Sequence, residues 1–558
     1  MKHVRYQVVP AMKQRPALTL VSFSPFLYKE IVMKTFHSTL QGWAKSAVPV
    51  SLLLLSSMVA AETPRISVLE FSKDASKVAA LEKGIASMRA NSSAKPDSAA
   101  YRTSFAYWSN THGYFGAGGN ATDLDAYIKR RMPECLPQLG EKTCKEYYAH
   151  MENTTVPDDG FTNNVWGTCQ HGNLNFLPWH RMYLNFYEKT LRKQTGDANF
   201  SLPYWNYYEE RSKDGKGLAI PALVRKSASD PLFDAWRTPG LNDNSTSITV
   251  QTASARQAFA FNDFTNFSNN LQNQPHGAMH CAVGTGCATP DMGFVPIAGL
   301  DPVFYMHHAN IDRLWQCWLD RKAGGQKQDL AWAKKNLGMP DSWYNIRYTF
   351  ADESGNQVDV TIADVFDENK FPRRYAADLR CEEPVLKQES HLVATAGESP
   401  LKSHALLTHQ DKIVLRGKPA AVNLQPAANN LRASVLSQAL QETAATYLIL
   451  ENVTIDGAPA ITYDIYIANK EQGDKRIYVA TFNLFGAGDS DHHHDHSEGM
   501  QLIFNVTEDV SKLGLTGPDS VSVTFEPTTL SSRPVPQANS SSGISVGSIR
   551  LENTAVRP

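Results

Sequence analysis

The sequence predicts a mainly α-helical domain over residues 62–385, followed by an antiparallel β-sandwich or barrel domain over residues 441–530. Three observations carry that division. Between Glu62 and about Leu379, aromatic and apolar residues recur at helical spacing, broken by long loops of Gly, Asn and Asp. From about Ser403 the texture changes to short β-type runs separated by turn residues: Lys412 to Leu415, Tyr447 to Leu450, Ile461 to Ile467, Arg476 to Phe482, Gln501 to Val506 and Val521 to Phe525. A chain of 558 residues also exceeds one ordinary domain.

Taken in order, residues 1–61 read as an upstream extension and an export signal. Lys34 and Lys45 precede an apolar run that starts at Val48, and the small residues Val59-Ala60-Ala61 end it, the order of a secretory signal cleaved after Ala61. Met33 is the more natural start, since it gives a signal of ordinary length. The run is too short to span a bilayer. The mature chain is therefore expected outside the cytoplasm, secreted or (in a bacterium) periplasmic, with no membrane association after cleavage. Asn-x-Ser/Thr triplets such as those at Asn91, Asn153 and Asn452 are compatible with export and glycosylation. Residues 386–440 read as a linker with the first strand of the C-terminal region, and residues 531–558, rich in Ser, Pro and Asn, as a flexible tail. Lys plus Arg (54) against Asp plus Glu (56) gives a net charge of -2, so no basic excess exists for a general nucleic-acid binder.

The chemistry lies in histidines. His171 and His180 stand nine apart, so one continuous helix cannot aim both at one ion. Pro178 resolves this: a helix beginning there puts His180 in its first turn and His171 on the loop before it. From His180 the stripe Leu184, Tyr187, Leu191 faces inward. His276 and His280 are an i, i+4 pair on one helical face, with Gly277 and no acidic residue between them, so the zinc-protease helix motif is absent. Further on, Asp301-Pro302 looks like a helix start, and Phe304, His308, Ile311, Trp315 and Trp318 make one apolar stripe. His307 lies about 100° away, which makes His308 the ligand and His307 its neighbour.

One more imidazole would complete two sets of three. His150, after Tyr147-Tyr148, is the first choice, and His112 the second. Six neutral nitrogens with no carboxylate favour copper over calcium, magnesium or a single zinc. The run His492-His-His-Asp-His496 sits amid Gly, Ser and Asp and reads as a solvated hairpin loop.

These residues resemble the type-3 copper family of tyrosinases, catechol oxidases and haemocyanins. His171-Gly, followed by Pro178-Trp-His180-Arg181, looks like the first copper motif. Pro275-His276, His280 and the run Asp301 to Arg313 look like the second. The resemblance covers roughly residues 100–380 and implies a four-helix-bundle core holding two copper ions. Copper A then takes His150, His171 and His180, and copper B takes His276, His280 and His308. Cys169, two residues before His171, resembles the fungal cysteine that bonds a histidine ring as a thioether. That use leaves six of the seven cysteines for disulfides, with pairing unreadable from sequence. Tyr463 to Ile467, Thr481 to Phe485 and Asp519 to Thr524 resemble the β-domain that shields the site in latent plant-type polyphenol oxidases. Arg374-Tyr375 looks like the motif closing the catalytic domain. The likeness implies that Phe485 or a neighbour plugs the copper site until an activating protease cuts the linker.

The resemblance implies oxidation of small o-diphenols to o-quinones by dioxygen. Gly277 stands where an Asn often accompanies monophenol hydroxylation, and the segment Phe267 to Gln274 has no Glu to hold a water, so monophenol activity is expected to be weak or absent. Cys281 stands where other side chains steer substrate, and Val295 at a small, open gate. Asp312 is expected to support the ligands, paired with Arg181 or Arg313. Rival readings are a tyrosinase with full monophenolase activity, an o-aminophenol oxidase, and an oxygen carrier like haemocyanin.

Overall fold

Two long helices, Phe176–Thr195 and Val303–Ala323, pack against each other at the heart of the helical region. Almost every residue of the second, from Val303 to Leu319, is buried. Each stops at a glycine with positive φ, Gly196 (φ 75) and Gly324 (φ 54), a conformation that costs any other residue a Cβ clash. The start of the second helix is fixed as the sequence suggests: Asp301 Oδ1 accepts the Val303 N–H at 2.9 Å. The first begins two residues earlier than Pro178, at Phe176, so His180 lies past the first turn. Around this pair sit the helices Ala75–Asn91 and Phe105–His112, the former against Phe176–Thr195.

This is a computed structural model, and it describes residues 63–113, 159–209, 211, 217–284, 286–287, 291–372, 375, 403–427, 445–456, 461–472, 475–483, 485–486, 499–514, 521–528, 530–531 and 543–554. No helix among them is long and apolar enough to cross a membrane. Residues 62–558 cluster as one compact unit, so the helical and β regions are not separate bodies.

The helices bearing histidine are not four of equal length. Beside the two long ones stand Phe105–His112 and the short Ala278–Val283. The expected helix through His276 is also interrupted. Gln272–Gly277 forms a wide turn with a cis Gln274–Pro275 bond, and regular helix resumes only at Ala278.

The C-terminal region is a sandwich of two antiparallel sheets. The smaller orders its strands Arg476–Phe482, Thr462–Asn469, Val521–Thr528 and Ala420–Asn423. The larger is centred on Ala445–Asp456. Ile465, Ile467, Val523 and Phe525 from one sheet share a core with Leu448, Leu450, Ile549 and Leu551 from the other. The alternation apolar-in, polar-out along Thr462–Asn469 is what a sheet with one covered face requires.

Two boundaries differ from expectation. The supposed flexible tail, residues 531–558, contains the strands Gly543–Val546 and Ser548–Thr554, both paired with the central strand of the larger sheet. Ile544 and Val546 point into the core with one parity and Ile549 and Leu551 with the other, although the pairing register with Ala445–Asp456 is unchanged; the change of face falls at Gly547, beside Asn452 (φ 50). That change breaks the period-2 signal. Residues 386–440, expected to hold one strand, hold several: Ser403–His409, Ile413–Leu415, Ala420–Asn423 and Gln425–Pro426.

Candidate metal centre

Seven buried histidines and one buried cysteine gather into two groups: His112, Cys169, His171 and His180; and His276, His280, His307 and His308. In the first group the three rings form a nearly even triangle, with centroids 5.2 Å apart for His112–His171, 5.6 Å for His112–His180 and 5.4 Å for His171–His180. His112 ends the Phe105–His112 helix, and Gly113 lets that end abut the backbone of Val295 and Pro296, where a Cβ would come within 2.5 Å of Val295 O. His171 comes from the loop before the Phe176–Thr195 helix, as expected. His150 lies outside the described residues. The imidazole beside His171 and His180 is His112, the second choice of the sequence reading.

In the second group His276, His280 and His308 have centroids 4.7, 5.1 and 5.2 Å apart. His280 Nε2 and His308 Nε2 approach to 3.1 Å, so both nitrogens face one point. The buried Nε2 of His276 has no hydrogen-bond partner, which suits a nitrogen reserved for a metal. His307 is also drawn in: its Nδ1 meets the Tyr207 hydroxyl at 2.8 Å, and its Nε2 is buried without a partner. The groups adjoin, His180 stacking on His308 at 4.5 Å and His171 on His276 at 5.7 Å.

Backbone carbonyls fix how the rings are presented. His180 Nδ1 lies 2.8 Å from Phe176 O, His276 Nδ1 3.1 Å from Gln272 O, His280 Nδ1 2.7 Å from Met292 O, and His112 Nδ1 3.1 Å from Val295 O. A carbonyl only accepts, so each of these nitrogens carries the proton and leaves Nε2 as a lone pair. Burial then holds the rings neutral. It pushes the His276 imidazole down to about 3 and lowers His180, His280, His307 and His308 well below the ordinary value, with neighbouring imidazoles adding to the effect at those four. Phe176 packs on His180 and His276 at 4.5 and 4.6 Å, and Phe304 on His308 and His112 at 4.3 and 4.6 Å. Neutral, dry, converging imidazoles without a carboxylate are the donor set of copper, and the two groups fit a dinuclear copper centre.

Cys169 Sγ lies 3.6 Å from His171 Nδ1 and 3.8 Å from its Nε2. The same sulfur lies 3.4 Å from His180 Nε2, so it sits between the two rings. Cys169 is free of any disulfide, whereas Cys281 bonds Cys287 and Cys317 is also disulfide-bonded. Cys281 is one of the six cysteines expected in disulfides, and its sulfur is bonded to Cys287 and buried in the core.

Asp312 takes Arg181, not Arg313. Arg181 Nε donates to Asp312 Oδ1 at 2.6 Å, while Oδ2 accepts from Tyr375 at 2.9 Å and Arg65 at 3.3 Å. Arg313 instead donates to Asn310 Oδ1. Among the described residues no imidazole bonds Asp312; it ties the His308 helix to Arg65 and Tyr375 near the two ends of the helical region. Arg65 also bonds Glu188, and sequence reasoning missed Arg65, Glu188 and Tyr207, which have no local motif.

Phe485 enters from the β-region and stacks on His280 at 4.2 Å with an 11° interplanar angle. It also stands 5.8 Å from His171 and 5.7 Å from His276, so it touches rings of both groups. Gly486 follows with φ 78, where a Cβ would lie 3.0 Å from His171 and 3.4 Å from Val295 Cγ2. Beside Phe485 a cavity of about 250 Å³ is bounded by His171, His276, Asn483 and Met500. The His492–His496 run lies outside the described residues.

Helical and β regions, with two adjoining imidazole sets, define a type-3 dicopper protein. Residues 142–321 match the common central domain of tyrosinase. The chain is 28% identical over 402 residues to a tyrosinase of Hahella sp., covering 66% of this chain and 80% of that one. It is 26% identical over 468 residues to the latent chloroplastic polyphenol oxidase of Prunus armeniaca, covering 76% and 71%. Against polyphenol oxidase B of Solanum lycopersicum, also chloroplastic, it is 26% identical over 412 residues, covering 64% of each. The structure of latent apple tyrosinase superposes with a TM-score of 0.53 at 18% identity, over 89% of this chain and 98% of that one. Residues 142–321 thus match a tyrosinase-type domain, and the relatives the chain is similar to are named tyrosinase and polyphenol oxidase.

Proposed function

We propose that this chain oxidises o-diphenols to o-quinones with dioxygen and hydroxylates monophenols weakly or not at all. The observation that carries the reading is the pair of adjoining imidazole sets, with the Nδ1 atoms of His112, His180, His276 and His280 on backbone carbonyls. Copper A is assigned to His112, His171 and His180, and copper B to His276, His280 and His308; His307 is a neighbour held by Tyr207. When bound, the two coppers supply the two-electron reduction of dioxygen that catechol oxidation requires. The residues do the rest. Carbonyls of Phe176, Gln272, Met292 and Val295 hold the rings in one tautomer, and Phe176 and Phe304 exclude water from them.

Gly277 itself carries no amide beside His276, and the segment Phe267 to Gln274 has no carboxylate, which supports weak or absent phenol deprotonation. Cys169 is proposed to join the His171 ring carbon as a thioether, a bond that would fix that ring. Phe485 is proposed as a plug whose ring occupies the approach to His280, with Val295 packed behind it, until a protease cuts the linker after Tyr375. Export is supported by the apolar run after Lys45 and by the Cys281–Cys287 disulfide.

The test is copper per chain together with oxygen uptake on a monophenol and its matching diphenol. Two coppers, fast diphenol uptake after Phe485→Ala and slow monophenol uptake are expected. Equal rates on both substrates would show a full tyrosinase, and fewer than two coppers would end the reading.

A further inference from the structure

The turn that carries His276 is clasped by the end of a β-domain strand. Thr481 N–H donates to Gln274 Oε1 at 3.0 Å, Asn273 Nδ2 donates to Thr481 O at 2.9 Å, and Asn483 N–H donates to Asn273 Oδ1 at 3.0 Å. Asn483 Nδ2 also donates to Asn273 O. From there the chain turns into the plug, and the turn is built by one atom: Asn483 Oδ1 accepts the Phe485 N–H at 3.1 Å. That same oxygen stands 2.3 Å from where a Cβ on residue 277 would be, and Phe485 Cβ stands 3.0 Å from it. Gly277 is itself in an ordinary helical conformation (φ -64), so the backbone does not call for glycine there. The space does.

We propose that Gly277 is the seat of the Phe485 plug: its missing side chain is filled by Asn483 Oδ1, so the residue after His276 sets latency. The inference rests on Phe485 acting as a plug. Any L side chain at 277 must push out the oxygen that shapes the Asn483–Phe485 turn, and Asn483 and Thr481 are held on the strand side by Asn273 and Gln274. An amide at 277 and a seated plug are therefore mutually exclusive. In this chain the absence of Asn at 277 is explained by packing against the β-region, without reference to the phenol being oxidised.

The test uses the intact, copper-loaded chain and catechol oxidation as readout, in a cycle of Gly277→Ala with Phe485→Ala. Gly277→Ala is expected to raise the rate of the intact chain about tenfold or more by overpacking the seat. In the Phe485→Ala background, where no plug remains, the same substitution is expected to bring no further activation. Asn483→Ala leaves position 277 untouched and removes the turn-building oxygen; it too is expected to activate, which keeps the idea testable if Gly277→Ala fails to hold copper. A Phe485→Ala chain that is activated while Gly277→Ala and Asn483→Ala are not would overturn the seat and leave the plug standing. An equal effect of Gly277→Ala in both backgrounds would also overturn it, since the residue would then act on substrate. No activation by Phe485→Ala would refute the plug and the seat with it.

Discussion

Arg237→Met is the substitution whose cost the structure defines best. Arg237 sends Nε to Asp301 Oδ2 at 2.8 Å and Nη2 to Asp301 Oδ1 at 2.7 Å, with side-chain exposures of 1% and 0%. Its Nη1 also serves Val224 O at 2.7 Å and Asn242 Oδ1 at 2.9 Å. Asp301 in turn holds the first free N–H of the helix that bears His307 and His308. Methionine keeps the apolar stem but removes the planar fork. It leaves a buried carboxylate with one donor and a carbonyl and an amide oxygen with none from this side chain. Breaking one side of such a buried pair costs about 3–5 kcal/mol. No nearby cluster relieves it, since Asp234 is itself raised by burial and by the Asp301 charge, and Asp291 by burial and by the Asp234 charge. Urea unfolding of the copper-free chain, followed by tryptophan fluorescence, should show the midpoint falling accordingly, and the loaded protein should lose copper. Arg237→Lys keeps the charge without the fork and should fall between. Adding Asp301→Asn to Arg237→Met should recover part of the loss, because the stranded charge is gone. A midpoint change worth under about 1 kcal/mol would show that the pair's desolvation cancels its attraction and refute the reasoning.

Three further outcomes are expected. The copper-free chain should lose stability as pH falls below 6.5, because unfolding lets buried imidazoles such as His276 (about 3 when folded) take up protons; the contribution is fully present above the unfolded value and lost on the way down, at about 1.4 kcal/mol per pH unit for each histidine. A urea midpoint unchanged between pH 7 and pH 5 would contradict this. The peptide spanning Cys169 to His171 should be lighter by two hydrogens than its sequence mass once copper has been loaded under air, and Cys169→Ala should abolish that difference while keeping two coppers. Tyr207→Phe removes the hydroxyl from His307 Nδ1 and should cost about 1 kcal/mol in stability, with copper stoichiometry unchanged; loss of copper would make His307 a ligand.

Five of the six proposed ligands were legible because each sits in a local pattern that the backbone enforces. His180 follows a proline in the opening of a helix, His276 and His280 stand four apart, and His308 lies on a stripe of aromatics. The four-apart pair converged even though Gln272–Gly277 is not regular helix, since the two rings need only share a side of one turn. His112 lacked such a sign: it closes a short helix whose inward residues, Phe105, Trp108 and His112, look like ordinary core. What joins it to His171 is a contact across 59 positions (171 minus 112), which spacing cannot report. The β-region was readable wherever alternation held and unreadable at Gly547, where the buried residues change parity. The plug was readable only by likeness, because a phenylalanine in a loop has no local mark of what it will cover.

The two imidazole sets come from distant parts of the sequence, yet one short segment serves both. Met292 O receives the His280 Nδ1 proton and Val295 O receives that of His112, so residues 292–295 orient one ring of each copper group. The segment is fixed from behind. Gly293 lies so close to Gly286 O that a Cβ there would sit 2.2 Å from it, and the loop holding Gly286 is closed by the Cys281–Cys287 disulfide directly after His280. Asp291 opens the segment with φ 42 and accepts the Phe294 N–H on its backbone oxygen at 2.9 Å. The His280 and His112 rings are thus coupled through residues 292–295 as well as through the separate helices that carry them. A rigid bracket of this kind holds both Nε2 lone pairs in place before any metal arrives, which is what a centre that must bind two ions at a fixed separation needs.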